Sequence, residues 1–235
     1  MKILVIIPAY NEEGSIASVV SGIKQQGYDY IVINDGSTDG TLKVCQENEI
    51  KVINLARNLG IGGAVQLGHK YAYRNGYDVD VQIDGDGQHD ISYIPLLIKE
   101  IEDGADLVIG SRFLGDTPGF KSTFMRRVGI KWLSGLIRLV YKKRITDPTS
   151  GFRASGKDAI ELFSRKYPVD YPEPESIAEL LNYKMKIVEV PVRMNERVVG
   201  KSSIGVFQGV YYMVKVTLAI LIEVRAKAYR KEKVQ

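Results

Sequence analysis

Asp80-Val-Gln-Ile-Asp-Gly-Asp-Gly-Gln-His89 decides how this chain is read. Its first four residues have the character of a short strand. They stop on a turn that carries two carboxylates, Asp84 and Asp86, spaced by Gly85 and Gly87. The same unit, an apolar run closing on a polar cluster, recurs on both sides of it. Ile3-Leu-Val-Ile-Ile7 is continuously apolar and rich in β-branched residues, as a strand buried on both faces of a parallel sheet must be. Pro8 ends that run, and Pro8-Ala-Tyr-Asn-Glu-Glu13 follows it. Tyr30-Ile-Val-Ile-Asn34 closes on Asp35-Gly-Ser-Thr-Asp-Gly40, and Asp106-Leu-Val-Ile-Gly110 runs into Ser111-Arg112. Lys51-Val-Ile-Asn-Leu55 is a further strand. Helical segments over 15–26, 41–48 and 91–103, and one that follows Gly60-Ile-Gly-Gly63 and ends near Gly76, separate these strands. Strands alternating with helices predict an α/β domain with a mostly parallel central sheet. Ligands of such sheets gather at the carboxyl ends of the strands, where all of these polar clusters fall.

Composition removes several alternatives. With 235 residues, 45% hydrophobic and 26% charged, the chain is an ordinary globular one, neither disordered nor collagen-like. One cysteine, Cys45, rules out an intramolecular disulfide framework and suits a reducing compartment. The opening Met1–Pro8 does not read as a secretory leader, and no apolar run reaches the roughly 18 residues of a membrane span. A soluble or peripheral protein is therefore expected. The net charge of +4 favours an anionic partner without choosing one.

Beyond about Gly115 the character changes. Between residues 121 and 144 lie Lys121, Arg126, Arg127, Lys131, Arg138, Lys142, Lys143 and Arg144, with no Asp or Glu among them. Val128, Trp132, Leu136, Leu139 and Val140 recur there at helical spacing. This is the pattern of an interfacial helix on anionic lipid, or of a helix packed on the core with a solvated basic side. A strand returns at Ile187-Val-Glu-Val-Pro-Val192, and a last helix is expected over about 206–231. The apolar part of that helix, 210–222, is too short to span a bilayer and contains Lys215.

Two carboxylates two residues apart can gather around one hard divalent cation and the oxygens of a diphosphate, although Asp and Gly also make ordinary polar turns. Gln88 and His89 add further ligand options, with a lone His more often an ordinary loop residue. A carboxylate after a strand commonly accepts from a ribose hydroxyl or a base N–H, a role open to Asp35 and to Glu12 or Glu13. Capping by Asn11 or Ser15 and a plain turn at Gly36 are the simpler alternatives. Gly60-x-Gly-Gly63 matches neither phosphate-binding glycine motif.

Taken in order, PAYNEE, NDGSTDGT, ARNLGIGGA, DGDGQH, GSR and DPTSGFRA (Asp147 to Ala154) resemble the motifs of family 2 glycosyltransferases. The branch is that of dolichyl-phosphate mannose synthase and the bacterial polyprenyl-phosphate glycosyltransferases, and the resemblance covers about residues 1–204. It implies a single GT-A (Rossmann-like) domain over 1–204, with a nucleotide-sugar half (1–115) and an acceptor half (116–204). A C-terminal helical appendage over 205–235 would dock on the membrane surface, a second copy, or a small membrane-spanning partner subunit.

The resemblance further implies that Pro8, Tyr10, Glu12, Asp35 and Gly63 line the nucleotide-sugar pocket. Asp84 would lie beside the diphosphate, with Asp86 and Gln88 holding Mg²⁺ or Mn²⁺. Ser111 and Arg112 follow the next strand, where Arg112 meets a phosphate or forms a structural ion pair. Arg153 and Arg197 would grip phosphate, guanidinium forks matching phosphate oxygens, with Lys201 and Ser202 extending that site. Hydroxyl-glycosylating relatives carry a Glu-Asp pair whose Asp is the general base; here Tyr171-Pro-Glu-Pro-Glu175 stands instead. A lipid phosphate is already anionic and needs no such base, whereas a sugar hydroxyl does, a role still open to Glu173 or Glu175. The implied function is inverting, metal-dependent transfer of a hexosyl unit from a nucleotide sugar, UDP by family habit, to polyprenyl phosphate at the cytoplasmic membrane face. A glycan hydroxyl in polysaccharide assembly as acceptor, or a non-catalytic nucleotide-sugar-binding subunit, are the alternatives. No nucleic-acid recognition module is present to explain the basic stretch.

Overall fold

The computed structural model describes residues 1–115, 124–195, 211 and 213–222. Seven strands form one sheet in the order β3-β2-β1-β4-β6-β5-β7: β1 (Ile3–Ala9), β2 (Asp29–Asn34), β3 (Val52–Asn54), β4 (Val79–Gln82), β5 (Leu107–Ser111), β6 (Arg153–Gly156) and β7 (Ile187–Pro191). All neighbours are parallel except β6, which runs antiparallel to both β4 and β5. The helices are α1 (Ile16–Gln25), α2 (Thr41–Glu47), α3 (Gly60–Arg74), α4 (Ile94–Glu102), α5 (Phe124–Tyr141), α6 (Lys157–Arg165) and α7 (Pro172–Asn182). A single 3-10 turn, Ile91–Tyr93, precedes α4. Among the described residues, no helix is long and apolar enough to cross a membrane.

The apolar runs do what their composition requires. Leu4 to Ile7 are fully buried, with Val5 and Ile7 in one core cluster and Leu4 and Ile6 in another on the opposite face. Pro8 does not end β1 as its missing donor suggests. Its partner Ile33 lies on β2, while the β1–β4 register stops at Ile6–Gln82. The amide that proline lacks therefore falls beyond the last β4 pair, where no ladder bond is lost. Beyond that pair β1 is laddered to β2 alone, at the carboxyl end of the sheet.

Three elements fall between residues 145 and 186, where periodicity assigns none: β6, α6 and α7. The glycine segment also differs from expectation, because Gly60 already opens α3 instead of leading into it. Gly62 is buried, and its amide donates to the Val169 carbonyl (3.1 Å). A side chain there would have its Cβ 2.1 Å from the Pro168 carbonyl oxygen and 2.2 Å from that of Val169. The glycine lets α3 lie directly on the 166–170 segment.

On α5, Ile130, Leu133 and Ile137 are buried; of the apolar residues at helical spacing, Leu136 packs against the core, while Val128, Trp132 and Leu139 are 47%, 58% and 71% exposed. Residues 213–222 are helical and not detached: Val216 and Ile220 are fully buried in the same cluster as Leu133 and Ile137. Trp132 Nε1 donates to Thr217 Oγ1 (3.1 Å), joining that helix to α5.

Gly62→Ala is expected to lower stability by about 1–3 kcal/mol through this clash, read as a fall of several degrees in Tm. Gly135→Ala, in the exposed middle of α5 with nothing within 4 Å of its added Cβ, should instead stabilise by up to about 1 kcal/mol. An equal response at both positions would refute this packing role.

Candidate functional site

The candidate site is built first by a clamp between two loops. Asn11 adopts a positive φ of 58°, and its side chain accepts from the Thr38 amide (2.8 Å) while its own amide donates to Ser37 Oγ (3.0 Å). Glu13 accepts from the Gly40 amide (2.7 Å), and the Glu12 amide donates to Thr41 Oγ1 (2.8 Å). Glu13 thus serves the clamp, and Glu12 accepts from Ser15 Oγ (2.9 Å). Tyr10 stands 47% exposed at the mouth. Asp35 is buried and accepts from the Leu59 amide (2.7 Å), drawing in the 57–59 segment. Gly36, at φ +66°, permits that approach, since a Cβ would lie 2.6 Å from the backbone of Arg57 and Asn58. Gly63 faces the Leu59 side chain within the first turn of α3.

The carboxylate turn meets this pocket at Gly85, whose added Cβ would be 3.2 Å from the Pro8 carbonyl and 3.4 Å from Glu12 Cγ. Gly87, at φ +76°, reverses the chain so that Asp86 accepts from the Gln88 amide (3.0 Å). Asp86 is buried. Its carboxylate and the Gln88 amide oxygen are hard donors suited to Mg²⁺ or Mn²⁺. Among the described residues no three His, Cys, Asp or Glu side chains converge on one metal position. The hard oxygen donors of Asp86 and Gln88 fit a divalent ion that also binds the oxygens of a diphosphate.

His89 departs from the ordinary loop histidine that its sequence position suggests. Its ring is buried, stacks on Phe152 at 5.0 Å with an interplanar angle of 13°, and accepts at Nδ1 from the Asp84 amide (2.9 Å). Burial, only partly opposed by Asp86 and Asp147, pushes its pKa down to about 4, so the imidazole is neutral.

The third wall is the segment from Thr146 into β6. Arg112 and Asp147 form a buried two-pronged pair, Nε to Oδ2 at 2.6 Å and Nη2 to Oδ1 at 2.7 Å. The Arg112 amide also donates to Asp147 (3.1 Å), and Glu189 on β7 accepts from the amides of Thr146 (2.7 Å) and Asp147 (2.8 Å). Arg112 thus has the ion pair that was one of its two expected roles. Ser111 is buried against Thr146 Oγ1 (2.7 Å). Gly151 brings this wall to the carboxylate turn, since its Cβ would lie 3.3 Å from Asp84 Oδ1. Arg153 is held inside β6 by the carbonyls of Ser150 (2.6 Å) and Pro148 (3.1 Å) and by Ser176 Oγ (2.9 Å), an inward placement that its motif does not disclose. Beside it, at the start of α7, burial raises the carboxyl pKa of Glu173 despite the nearby Arg153. Arg197, Lys201 and Ser202 lie outside the described residues. The structure therefore brings Pro8, Glu12, Asp84 and Asp86 together, with Arg112 and Arg153 buried in the neighbouring wall. Asp147, Glu189 and Phe152 are parts of it that spacing in the sequence does not single out.

Removing one partner of the Arg112–Asp147 pair leaves a charge stranded in the interior. Asp147→Ala should cost about 3–5 kcal/mol in chemical denaturation, far more than a surface ion-pair deletion such as Asp103→Ala beside Lys99.

Residues 4–163 match the family described as Glycosyl transferase family 2. A UDP-N-acetylglucosamine–dolichyl-phosphate N-acetylglucosaminyltransferase of Methanococcus voltae is 35% identical over 212 residues, 81% of this chain and 84% of that protein. An undecaprenyl-phosphate mannosyltransferase of Micrococcus luteus is 31% identical over 221 residues, 87% and 88% of the two chains. The fold is also that of glucosyl-3-phosphoglycerate synthase from Mycobacterium tuberculosis, crystallised with Mn²⁺, UDP and phosphoglyceric acid, at TM-score 0.72 and 20% identity over 95% of this chain and 78% of that one. With the motifs, the parallel sheet and the site in agreement, the chain belongs to glycosyl transferase family 2 and is a glycosyltransferase.

Proposed function

We infer that this enzyme transfers a hexosyl unit from a nucleotide sugar, UDP-linked by preference, to a polyprenyl phosphate, with inversion at the anomeric carbon. The observation that carries the reading is the meeting of the Asp84–Asp86 turn with the Pro8–Glu12 wall at Gly85 and with the Asp147–Arg153 wall at Gly151. A diphosphate lying over the turn would have its nucleoside toward Tyr10 and Asp35 and its sugar toward Gly151. The named acceptors of both relatives are polyprenyl phosphates, and one of them uses a UDP-sugar.

In this reading Asp86 and Gln88 would hold Mg²⁺ or Mn²⁺, and the ion would supply Lewis-acid neutralisation of the departing nucleoside diphosphate. Asp84 orients the sugar side of the diphosphate. An oxygen of the lipid phosphate bonds to the anomeric carbon as the carbon–oxygen bond to the diphosphate breaks, the electron pair leaving with the diphosphate. The nucleophile arrives anionic, so no side chain has to remove a proton. Arg197, Lys201 and Ser202 are assigned to the acceptor phosphate, while Arg153 supports that wall from within.

Incubating the purified chain with a nucleotide-sugar panel, Mn²⁺ or Mg²⁺ and a short polyprenyl phosphate should give a sugar product that extracts into organic solvent. Asp86→Asn should lower its formation by at least about 100-fold while the protein stays folded. Nucleotide binding without any lipid product would defeat the acceptor assignment. A glycan hydroxyl is the second reading, favoured by the placement of Glu173 among Arg153, Asp84 and Arg112. Loss of turnover in Glu173→Gln or Glu175→Gln, with nucleotide binding intact, would establish it.

We assign the outer side of α5 and residues 211–222 to the membrane surface. Trp132 and Leu139, with Leu218 and Ile222 at 53% and 64% exposure, stand beside exposed Arg127, Lys131 and Arg138. Apolar groups flanked by cations suit the boundary of an anionic bilayer. Deleting residues 206–235 would also remove buried Val216 and Ile220, so substitution is the cleaner test. Leu139→Asp with Ile222→Asp should sharply reduce co-sedimentation with phosphatidylglycerol vesicles at unchanged Tm. Undiminished binding would remove this surface from the reading.

A further inference from the structure

We propose that His89 is a positioning residue of the transfer site, setting the direction of the Asp84 carboxylate from behind; the proposal rests on the function assigned above. Asp84 lies past the end of the β1–β4 ladder, whose last register pair is Ile6–Gln82 and whose last bond is the Ile83 amide to the Ile6 carbonyl (3.0 Å). Its amide is answered by the imidazole, which accepts it at Nδ1 (2.9 Å). That bond places the ring proton on Nε2, which faces Asp84 Oδ2 at 3.6 Å. One side chain therefore touches both the backbone and the carboxylate of the same residue.

The residue is itself held in two further ways, one at the ring and one at the backbone. It stacks on Phe152, which is fully buried at the start of β6, and the His89 backbone forms an isolated antiparallel bridge with Met194. The neighbouring Gln88 carbonyl accepts from the Asn195 amide (2.8 Å). The carboxylate turn, the Asp147–Arg153 wall and the chain leaving β7 thus meet around one residue, the first two at its ring and the third at its backbone. A donor left without an acceptor in this setting would turn to find one, and the carboxylate would turn with it. Displacement of a reacting or orienting group by about 1 Å costs transfer rate far more than it costs binding.

Two variants separate the acceptor from the ring. His89→Phe keeps a ring for Phe152 and removes the acceptor. His89→Asn loses the ring and places a carbonyl oxygen near the position of Nδ1. Backbone hydrogen exchange followed by NMR on the full chain, with no substrate present, reads the proposal independently of activity. The Asp84 amide should be protected in the wild type and in His89→Asn and unprotected in His89→Phe. In the lipid-transfer assay, kcat should fall about 10–100-fold in His89→Phe, with the KM for donor changed less than about threefold, and His89→Asn should recover to within about fivefold of wild type. Protection of the Asp84 amide that persists in His89→Phe, or a kcat equally low in both variants, would overturn the proposal. If instead the wild type forms no sugar–lipid product, the acceptor reading fails while the exchange pattern still decides the role of His89.

Discussion

The buried pair between Arg112 and Asp147 ties the loop before β6 to the end of β5. Asp147 follows α5 and the loop after it, a long excursion from β5. It returns to the sheet because the guanidinium at the end of β5 takes both of its oxygens. Taking two charges out of water is costly, and the geometry offsets this only when the remaining hydrogen-bonding positions are filled. Here the Arg112 amide and Thr149 Oγ1 complete the pair, and Glu189 takes the adjacent amides of Thr146 and Asp147. With that segment pinned, the chain can only continue as β6, antiparallel between β4 and β5, and this carries Gly151 to Asp84 and Phe152 to His89.

The same economy appears on β4. Val79, Val81 and Ile83 face the core shared with α4, while Asp80, Gln82 and Asp84 share the other side of the strand. Asp80 is fully buried and meets His69 Nδ1 of α3 at 2.6 Å. Only Asp84, beyond the end of the ladder, reaches the candidate site. The alternation that buries one face thus also aims the carboxylate, past the last β1–β4 pair. Polar groups gather at this point because it is where the backbone pairing stops and they must find other partners.

The parallel core was legible because it rests on local signals. Continuous β-branched runs at residues 3–7 and 30–34, each closed by Asp, Asn or Gly, have few other ways to fold. The polar turns after the strands were legible for the same reason, since Asp84 to His89 and Asp35 to Gly40 are turns written in neighbouring residues. Arg153-Ala-Ser-Gly156 has no such signature; it is a strand because β4 and β5 pair with it from both sides. On α5, helical spacing suits both Val128-Trp132-Leu139 and Ile130-Leu133-Ile137, and only the cluster beneath chooses the second set as the buried one.

By itself, then, the sequence determined the fold class, the order of the first parallel-sheet elements and the presence of a carboxylate turn at a strand end. These depend on contacts a few residues apart. The tertiary structure alone decided that Arg112 is answered by Asp147, that Arg153 points inward and that His89 stands behind Asp84. Each of those outcomes depends on groups brought together by sheet pairing across tens of residues, and charge, burial and hydrogen bonding act on distance in space, not on distance along the chain.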